Sequence, residues 1–260
     1  MEPPDRANCR FVLILTMLYA NFMHGRPAMF RRRVGRALRT ASISVSFLLI
    51  TAVVVLAQTP DRRQNEPGKF DFYVLALSWS PSFCEAAHER AANRAPDPQC
   101  GGRPFAFVVH GLWPQYEQGY PAYCQVPAPR LDRAVVGSAL DLMPSPRLVF
   151  HEWDRHGTCT GLTPRAYFET VRKARAAVKI PDDYFELDKP ITVTPDEVAG
   201  AFIKANPGLS RGDFAIACDK SRITEIRVCL SRDFSFRECP EVTRRACPLE
   251  KMAMPAVRGG

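Results

Sequence analysis

The sequence lacks several patterns that would place it quickly in a structural class. No segment repeats along its 260 residues, and no low-complexity tract is long enough to matter, which excludes a repeat architecture. None of its nine cysteines falls in a Cys-x-x-Cys pair, and no linker divides residues 58–260. We therefore expect one globular domain, because 46% hydrophobic and 24% charged residues are typical of a chain that forms a sizeable core.

The net positive charge is small outside the first 57 residues. The formal net charge is +8, but residues 1–57 contain eight arginines against two acidic residues and carry +6 of it. Residues 58–260 contain 27 basic and 25 acidic residues, a net charge of only +2. If this larger part binds nucleic acid, a local patch must do so, because no strong overall field attracts the phosphates.

The first 57 residues have the organisation of a targeting segment. A positive run that starts at Met29 (MFRRRVGR) is followed by fifteen largely apolar residues, Ile43 to Ala57. The apolar run ends in Val55-Leu56-Ala57, which suits cleavage before Gln58 and completes the three-part pattern of a secretory signal peptide. It is shorter than the roughly 20 residues of a membrane-spanning helix, although an uncleaved membrane anchor is the alternative.

Translation is expected to start at Met29, because a signal peptide does not need the earlier apolar stretch at residues 11–23. The expected organisation is a leader at residues 1–57, with the signal peptide at 29–57, and a mature domain at 58–260. We expect that domain to be secreted or periplasmic after cleavage near Ala57, monomeric and without membrane contact.

Cysteines are unusually frequent in the expected mature chain. Their even number behind an export signal indicates a disulfide framework. Spacing alone leaves the connectivity open, and a metal site is the weaker interpretation, so no metal and no cofactor are expected. The eight cysteines are Cys84, Cys100, Cys124, Cys159, Cys218, Cys229, Cys239 and Cys247.

Strands and helices are mixed without a regular strand–helix repeat. This order predicts an α+β fold with a mainly antiparallel sheet, flanking helices and stabilising disulfides in a single domain. The second strand should end at His110, because Gly111 and Pro114 break its pattern. The predicted strands are residues 70–79, 105–110, 213–217 and 223–230, and the predicted helices are 148–156, 165–178 and 194–205.

Three of the five histidines lie in two short aromatic-rich segments, the first being VHGLWP at residues 109–114. His110 ends a hydrophobic strand, so a rigid element would deliver its imidazole, and Gly111 permits close approach to the backbone. Trp113 offers a flat face on which a base can stack. A lone histidine on an apolar strand is more often a core or surface residue than a functional one. The functional interpretation of this segment therefore depends on the second segment.

The second segment is HEWDRHGTC at residues 151–159. On a helix, Glu152 and His156 are four residues apart and share a face, as do His151 and Arg155. The two pairs are about 100° apart around the helix, so all four can form one broad polar face. A solvated surface is the plain alternative, but these groups are well suited to holding a phosphate and moving protons around it.

Two other enzyme classes compete for these residues. A zinc protease needs its second histidine four residues after the first, on the same helix face. Here Arg155 occupies that position and His156 lies one residue further, so the zinc interpretation is rejected because arginine does not ligate zinc. A cysteine–histidine hydrolase is disfavoured because the exported cysteines are more simply all paired.

At these residues the sequence resembles the ribonuclease T2 family of secreted acid-type enzymes. The resemblance rests on the two segments in this order, about 40 residues apart. It is extended by LALSWSP at residues 75–81 and TEIRVC at residues 224–229, and it spans about residues 70–247.

The resemblance implies a metal-independent endoribonuclease that uses the RNA 2′-hydroxyl as nucleophile and releases a 2′,3′-cyclic phosphate. His156 would be the general base and His110 the general acid for the leaving 5′-oxygen. Glu152 and Arg155 would steady the phosphorus centre, and His151 would hold a phosphate oxygen. Arg155 departs from the family's usual lysine, so a planar fork replaces a compact point charge.

The family's bridges imply Cys124–Cys159, Cys218–Cys247 and Cys229–Cys239, which leave Cys84 and Cys100 as the remaining pair. Single-stranded RNA is the expected partner. The alternatives are a catalytically idle relative that binds RNA or another partner, and an exported disulfide-rich binding module unrelated to RNA. The presence of both His110 and His156 favours the enzyme.

Overall fold

The computed structural model describes residues 65–90, 97–101 and 103–257. The predicted leader at residues 1–57, its start at Met29 and its cleavage site after Ala57 lie outside the described residues. Within the described ranges, no helix has the length and apolar character needed to cross a membrane. The same ranges contain no cluster of three or more His, Cys, Asp or Glu side chains able to hold a metal ion.

An antiparallel sheet of four strands forms the centre of the fold. Its strands are β1 (Phe72–Trp79), β2 (Phe107–Gln115), β4 (Phe214–Cys218) and β5 (Ile223–Leu230). They lie in the order β2-β1-β5-β4, so β1 and β5 are central, which agrees with their nearly continuous burial. A second, two-stranded antiparallel sheet pairs β3 (Ile191–Val193) with β6 (Met252–Met254).

Two helices begin at the caps that the local sequence predicts. Thr163 accepts a hydrogen bond from the backbone of Ala166, and Thr194 forms a reciprocal capping box with Glu197, so each satisfies a backbone donor that the first helical turn leaves free. The helices are α1 (Ser80–Arg90), α2 (Arg133–Ala139), α3 (Pro146–Arg155), α4 (Pro164–Ala176), α5 (Pro195–Ala205) and α6 (Pro240–Thr243).

The main core contains large side chains from the sheet and the helices, and two buried tryptophans have their polar groups satisfied. Trp79 donates its indole N–H to the Pro255 carbonyl at 3.0 Å, and Trp153 donates to the Pro129 carbonyl at 2.7 Å. Trp153 is 1% exposed, so it anchors α3 and fixes the direction in which the neighbouring Glu152 points.

Four disulfides stabilise this arrangement, and the predicted α+β class is confirmed. The bridges join the three pairs that the family resemblance implies and the fourth pair that remained, and their loops range from 10 to 35 residues. They are Cys84–Cys100, Cys124–Cys159, Cys218–Cys247 and Cys229–Cys239.

The expected end of the second strand at His110 is wrong, because β2 continues to Gln115. The pairing passes from Val109 opposite Leu77 to Gly111 opposite Ala76, which leaves His110 as an extra residue without a partner. Such a β-bulge bends the strand and re-aims a side chain without ending the strand. Pro114 is tolerated because β2 is an edge strand, where an absent N–H need not break the ladder.

Candidate active site

His110 is held from the sheet by Glu225 on β5. Its Nδ1 lies 2.6 Å from Glu225 Oε1, and Arg227 Nε donates to Glu225 Oε2 at 2.6 Å. An ionised carboxylate only accepts hydrogen bonds, so this contact places a proton on Nδ1. Burial disfavours the charged ring, but the hydrogen bond and charge of Glu225, helped by Glu152, outweigh it and raise the pKa of His110.

Glu152 is an almost completely buried carboxyl group, 1% exposed. Its Oε2 accepts the indole N–H of Trp113 at 2.8 Å. Its Oε1 lies 3.6 Å from His110 Nε2 and has no hydrogen-bond partner among the described residues. Burial raises the pKa of Glu152 to about 7, although the charge of His110 and the Trp113 hydrogen bond oppose the rise, so at acidic pH the carboxyl group carries a proton.

His156 caps the end of α3, where its N–H donates to the Glu152 carbonyl at 3.0 Å. The residue is 7% exposed, and within the described part of the chain its Nδ1 has no hydrogen-bond partner. Burial, followed by the charges of Arg155, His110 and His151, lowers its pKa to about 2. The imidazole is therefore neutral across the working pH range of proteins.

Trp113 joins the three central residues. Its ring contacts that of His110 edge-on, with centroids 5.2 Å apart, and that of His156 at 5.3 Å with 30° between the planes. Its N–H is the donor to Glu152. The half-buried indole is thus packed among the candidate catalytic groups, and a base stacked on it stays a prediction.

Two glycines permit this close packing. A Cβ added to Gly111 would overlap Glu152 Oε2 and the Trp113 indole nitrogen, and a Cβ added to Gly157 would overlap the ring of Trp153. Only a residue without a side chain fits at these positions. Gly111 therefore lets the buried carboxyl group reach β2, and Gly157 lets the chain turn directly after His156.

His151 and Arg155 lie nearer the surface than their helix neighbours. His151 is exposed, and its pKa is lowered by partial burial and by the charges of Arg155 and His110. The guanidinium group of Arg155 lies 5.8 Å from the ring centroid of Tyr123 and donates a long, 3.5 Å hydrogen bond to the hydroxyl of Tyr120. The expected polar face therefore has two parts, since α3 turns Glu152 into the protein and leaves His151 outside.

A small cavity of about 80 Å³ lies beside Trp113. Charged, polar, aromatic and aliphatic side chains line it together. A larger cavity of about 250 Å³ lies next to α1 and is lined by His88 but by none of the predicted catalytic or phosphate-binding residues. The small cavity is lined by Val74, Trp113, Gln115, Tyr120, Arg227, Glu241, Val242 and Arg245.

The sequence analysis missed Glu225, which contacts His110, and Arg227, which contacts Glu225. Both lie in the segment 224–229, which contributed only to the family resemblance. A usable signal was present: Glu225 is an acidic residue in a strand whose other residues, apart from Thr224 and Arg227, are apolar. A carboxylate in such a strand is buried only with a partner, and His110 provides one.

The amino-acid sequence is similar to one family model and to several known proteins. The model of the Ribonuclease T2 family matches residues 70–239. A ribonuclease of Aeromonas hydrophila is 43% identical over 112 residues, which are 43% of this chain and 48% of that protein. A probable ribonuclease of Haemophilus influenzae is 30% identical over 185 residues, 68% of this chain and 63% of that protein. The chain thus spans about half to just under two thirds of the length of these relatives.

The solved structures support the fold. An RNase-related protein from Calystegia sepium superposes with a TM-score of 0.58 at 18% identity, covering 73% of this chain and 98% of that one. Trichomaglin, described as an S-like ribonuclease, superposes with a TM-score of 0.55 at 20% identity, covering 73% of this chain and all of that one.

Proposed function

Because the chain belongs to the ribonuclease T2 family, we propose that it is an endoribonuclease that cleaves single-stranded RNA to 2′,3′-cyclic phosphate products without a metal. One observation carries the proposal. The rings of His110 and His156 both contact the ring of Trp113, and the pKa of His110 is raised while that of His156 is lowered. Acid–base catalysis of a phosphoryl transfer needs one group of each kind.

His156 acts as the general base in this mechanism. Its neutral ring accepts the proton of the RNA 2′-hydroxyl as the 2′-oxygen bonds to phosphorus. In the free protein the low pKa of His156 makes it a weak base. A phosphate bound beside it supplies negative charge, which raises that pKa towards the working pH and strengthens the base.

His110 acts as the general acid. As the bond between phosphorus and the 5′-oxygen breaks, His110 gives its Nε2 proton to that oxygen, which leaves as a hydroxyl group. One proton is taken up and one is given up, so the step leaves His156 protonated and His110 neutral, and proton exchange with solvent restores both before the next turnover. Each such proton transfer contributes on the order of 10²–10⁴-fold to the rate.

Glu152, Arg155 and His151 bind the phosphate. Below about pH 7 Glu152 is protonated, so it donates a hydrogen bond to a phosphate oxygen and does not repel it, which an ionised carboxylate would. Arg155 at the rim adds a permanent positive charge, and His151 contacts another phosphate oxygen. Charge that develops on the phosphorus oxygens is thereby met by donors already in place.

The proposed location follows from the leader. We propose that residues 29–57 are removed near Ala57 and that the monomeric mature protein acts in the periplasm or outside the cell, free of the membrane. Four disulfides among the described residues suit an oxidising compartment. N-terminal sequencing of the exported protein should begin at or near Gln58, and an intact segment 29–57 would contradict this.

Digestion of RNA in EDTA tests the function. Phosphorus NMR should show 2′,3′-cyclic phosphate products, with full activity in the chelator. Wild-type protein that binds RNA without cleaving it would support an idle relative instead. Activity that disappears in EDTA and returns with a divalent ion would overturn the metal-independent mechanism.

A substrate with a good leaving group tests the division of labour. His110→Ala and His156→Ala should each lose most activity on RNA. On a nucleoside 3′-nitrophenyl phosphate, whose leaving group needs no proton, His110→Ala should regain much of the wild-type rate and His156→Ala should stay inactive. Rescue of His156→Ala alone would reverse the two assignments, and an equal response would refute them.

A further inference from the structure

We propose that Glu225 is a positioning residue for His110, which it holds with one proton on Nδ1 and with Nε2 directed at the leaving oxygen. This inference rests on the proposed role of His110 as general acid. Glu225 does not reach the reacting atoms, because the imidazole lies between it and the space in front of Glu152.

The carboxylate of Glu225 is fixed from both sides. Its Oε1 contacts His110 Nδ1 at 2.6 Å, its Oε2 accepts from Arg227 Nε at 2.6 Å, and the residue is 5% exposed. It projects from a central strand opposite Ser78 of β1, whose hydroxyl lies within 3.5 Å of Oε1. A carboxylate with both oxygens engaged cannot rotate, so it orients the ring that it holds.

His110 needs such a partner because two carboxyl groups face it. Glu225 faces Nδ1, and Glu152 on α3 faces Nε2 at 3.6 Å. With Nδ1 occupied by Glu225, the acidic proton of the charged ring is on Nε2, the nitrogen that substrate can reach. Without Glu225, the ring is free to give a proton to Glu152 or to turn, and the neutral ring has no preferred tautomer.

The charged groups around His110 also determine how each substitution changes its pKa. Glu225 and Glu152 favour the charged ring, while Arg227 disfavours it, and His151 and His156 on and after α3 interact with it as well. Removing the negative charge of Glu225 must lower the pKa of His110. Removing Arg227 must raise it, so the two substitutions act with opposite signs.

The test compares Glu225→Gln with wild type on two substrates. On a ribodinucleotide, kcat/KM should fall by about 10²-fold, and the alkaline limb of its pH profile should move to lower pH. On the nitrophenyl ester the loss should shrink to a few-fold, because no acid is needed. Glu89→Gln is the matched control, since it removes another arginine-paired carboxylate, at the surface on α1, and should match wild type on both.

NMR titration of the His110 ring in the free protein separates this inference from the proposed function. The Glu225→Gln variant should titrate at lower pH than wild type and its Nδ1–H signal should shift, because a neutral amide oxygen replaces the carboxylate as acceptor, whether or not the protein cleaves RNA. An unchanged His110 titration, or equal losses of activity on both substrates, would overturn the inference. If Glu225→Gln does not fold, Arg227→Gln decides: an upward shift of the His110 titration supports the inference, and no shift refutes it.

Discussion

His110 and Trp113 are three residues apart on the same strand, yet their rings lie on the same side of the sheet, with centroids 5.2 Å apart. In a regular strand such residues point to opposite faces. The bulge at His110 removes this difference, and for the same reason Val109 and Leu112 both face the core. The extra residue in β2 is therefore what brings the imidazole and the indole together.

Gly111 should be important for activity, because its lack of a side chain leaves room for the contact between Glu152 and Trp113. In Gly111→Ala the new Cβ displaces Glu152 Oε2 and the Trp113 nitrogen, so the hydrogen bond between them breaks. We expect kcat/KM on RNA to fall by at least about tenfold, since the loss of one positioned donor costs more than 1 kcal/mol.

Gly200→Ala is the control for this substitution. Gly200 lies exposed in α5, and an added Cβ meets nothing within 4 Å. Its replacement should stabilise the protein by about 0.5–1 kcal/mol and leave activity unchanged. Wild-type activity in Gly111→Ala, measured on folded protein, would show that the Trp113–Glu152 contact is unimportant.

Burial of Glu152 should reduce stability at neutral pH. Its pKa is raised from 4.5 to about 7 in the folded protein, so the folded state holds the proton more tightly than the unfolded state. The free energy of unfolding therefore falls as pH rises from 4.5 to 7, by up to about 3 kcal/mol at 1.36 kcal/mol per unit.

Glu152→Gln removes this effect because the amide does not ionise. Thermal unfolding should show a larger gain for the variant at pH 8 than at pH 4. Glu169→Gln, at an exposed position on α4, should give a difference that does not change with pH. If Glu152→Gln stabilises the protein equally at both pH values, ionisation of the buried carboxyl group does not destabilise the folded state.

The activity should have a bell-shaped pH profile with its maximum at acidic to near-neutral pH. The base His156 must be neutral, and its lowered pKa keeps it so through most of the acidic range. The acid His110 must be protonated, and its raised pKa extends that state upward. Ionisation of Glu152 near pH 7 places a negative charge beside the phosphate and adds to the loss of activity at alkaline pH. Initial rates on a ribodinucleotide that still rise above pH 8 would contradict this.

The Cys124–Cys159 bridge should matter for both stability and activity. Cys159 lies three residues after His156, and beside the bridge the N–H of Tyr123 donates to the Arg155 carbonyl at 2.9 Å. Replacing both cysteines by alanine opens a loop of 35 residues and should cost about 4 kcal/mol. Activity at a temperature where the variant is folded should also fall, because the end of α3 is released.

The control removes Cys84–Cys100, which closes a loop of 16 residues. The loss of stability should be similar, about 3 kcal/mol, but kcat/KM should stay near the wild-type value since this bridge lies at α1. Equal losses of activity in the two double variants would show that the Cys124–Cys159 bridge does not position the site.

Local sequence determined much of this protein. The caps at Thr163 and Thr194 set two helix starts, because a side chain satisfies backbone donors only a few residues away. The spacing of Glu152 and His156 corresponds to one helical turn, and both residues are buried at the C-terminal end of α3. The α+β class followed from the order of such elements.

Tertiary structure decided which groups meet. Glu225 is 115 residues from His110 in the chain, and only the pairing of β1 with both β2 and β5 brings them within 2.6 Å. The continuation of β2 past Gly111 depends on a bulge that forms opposite β1, so no local pattern at His110 shows it. Which side of α3 is buried, and with it the proton affinity of Glu152, depends on Trp153 entering the core. Pairing, bulge and burial each require a second segment, so the residues of one segment cannot specify them alone.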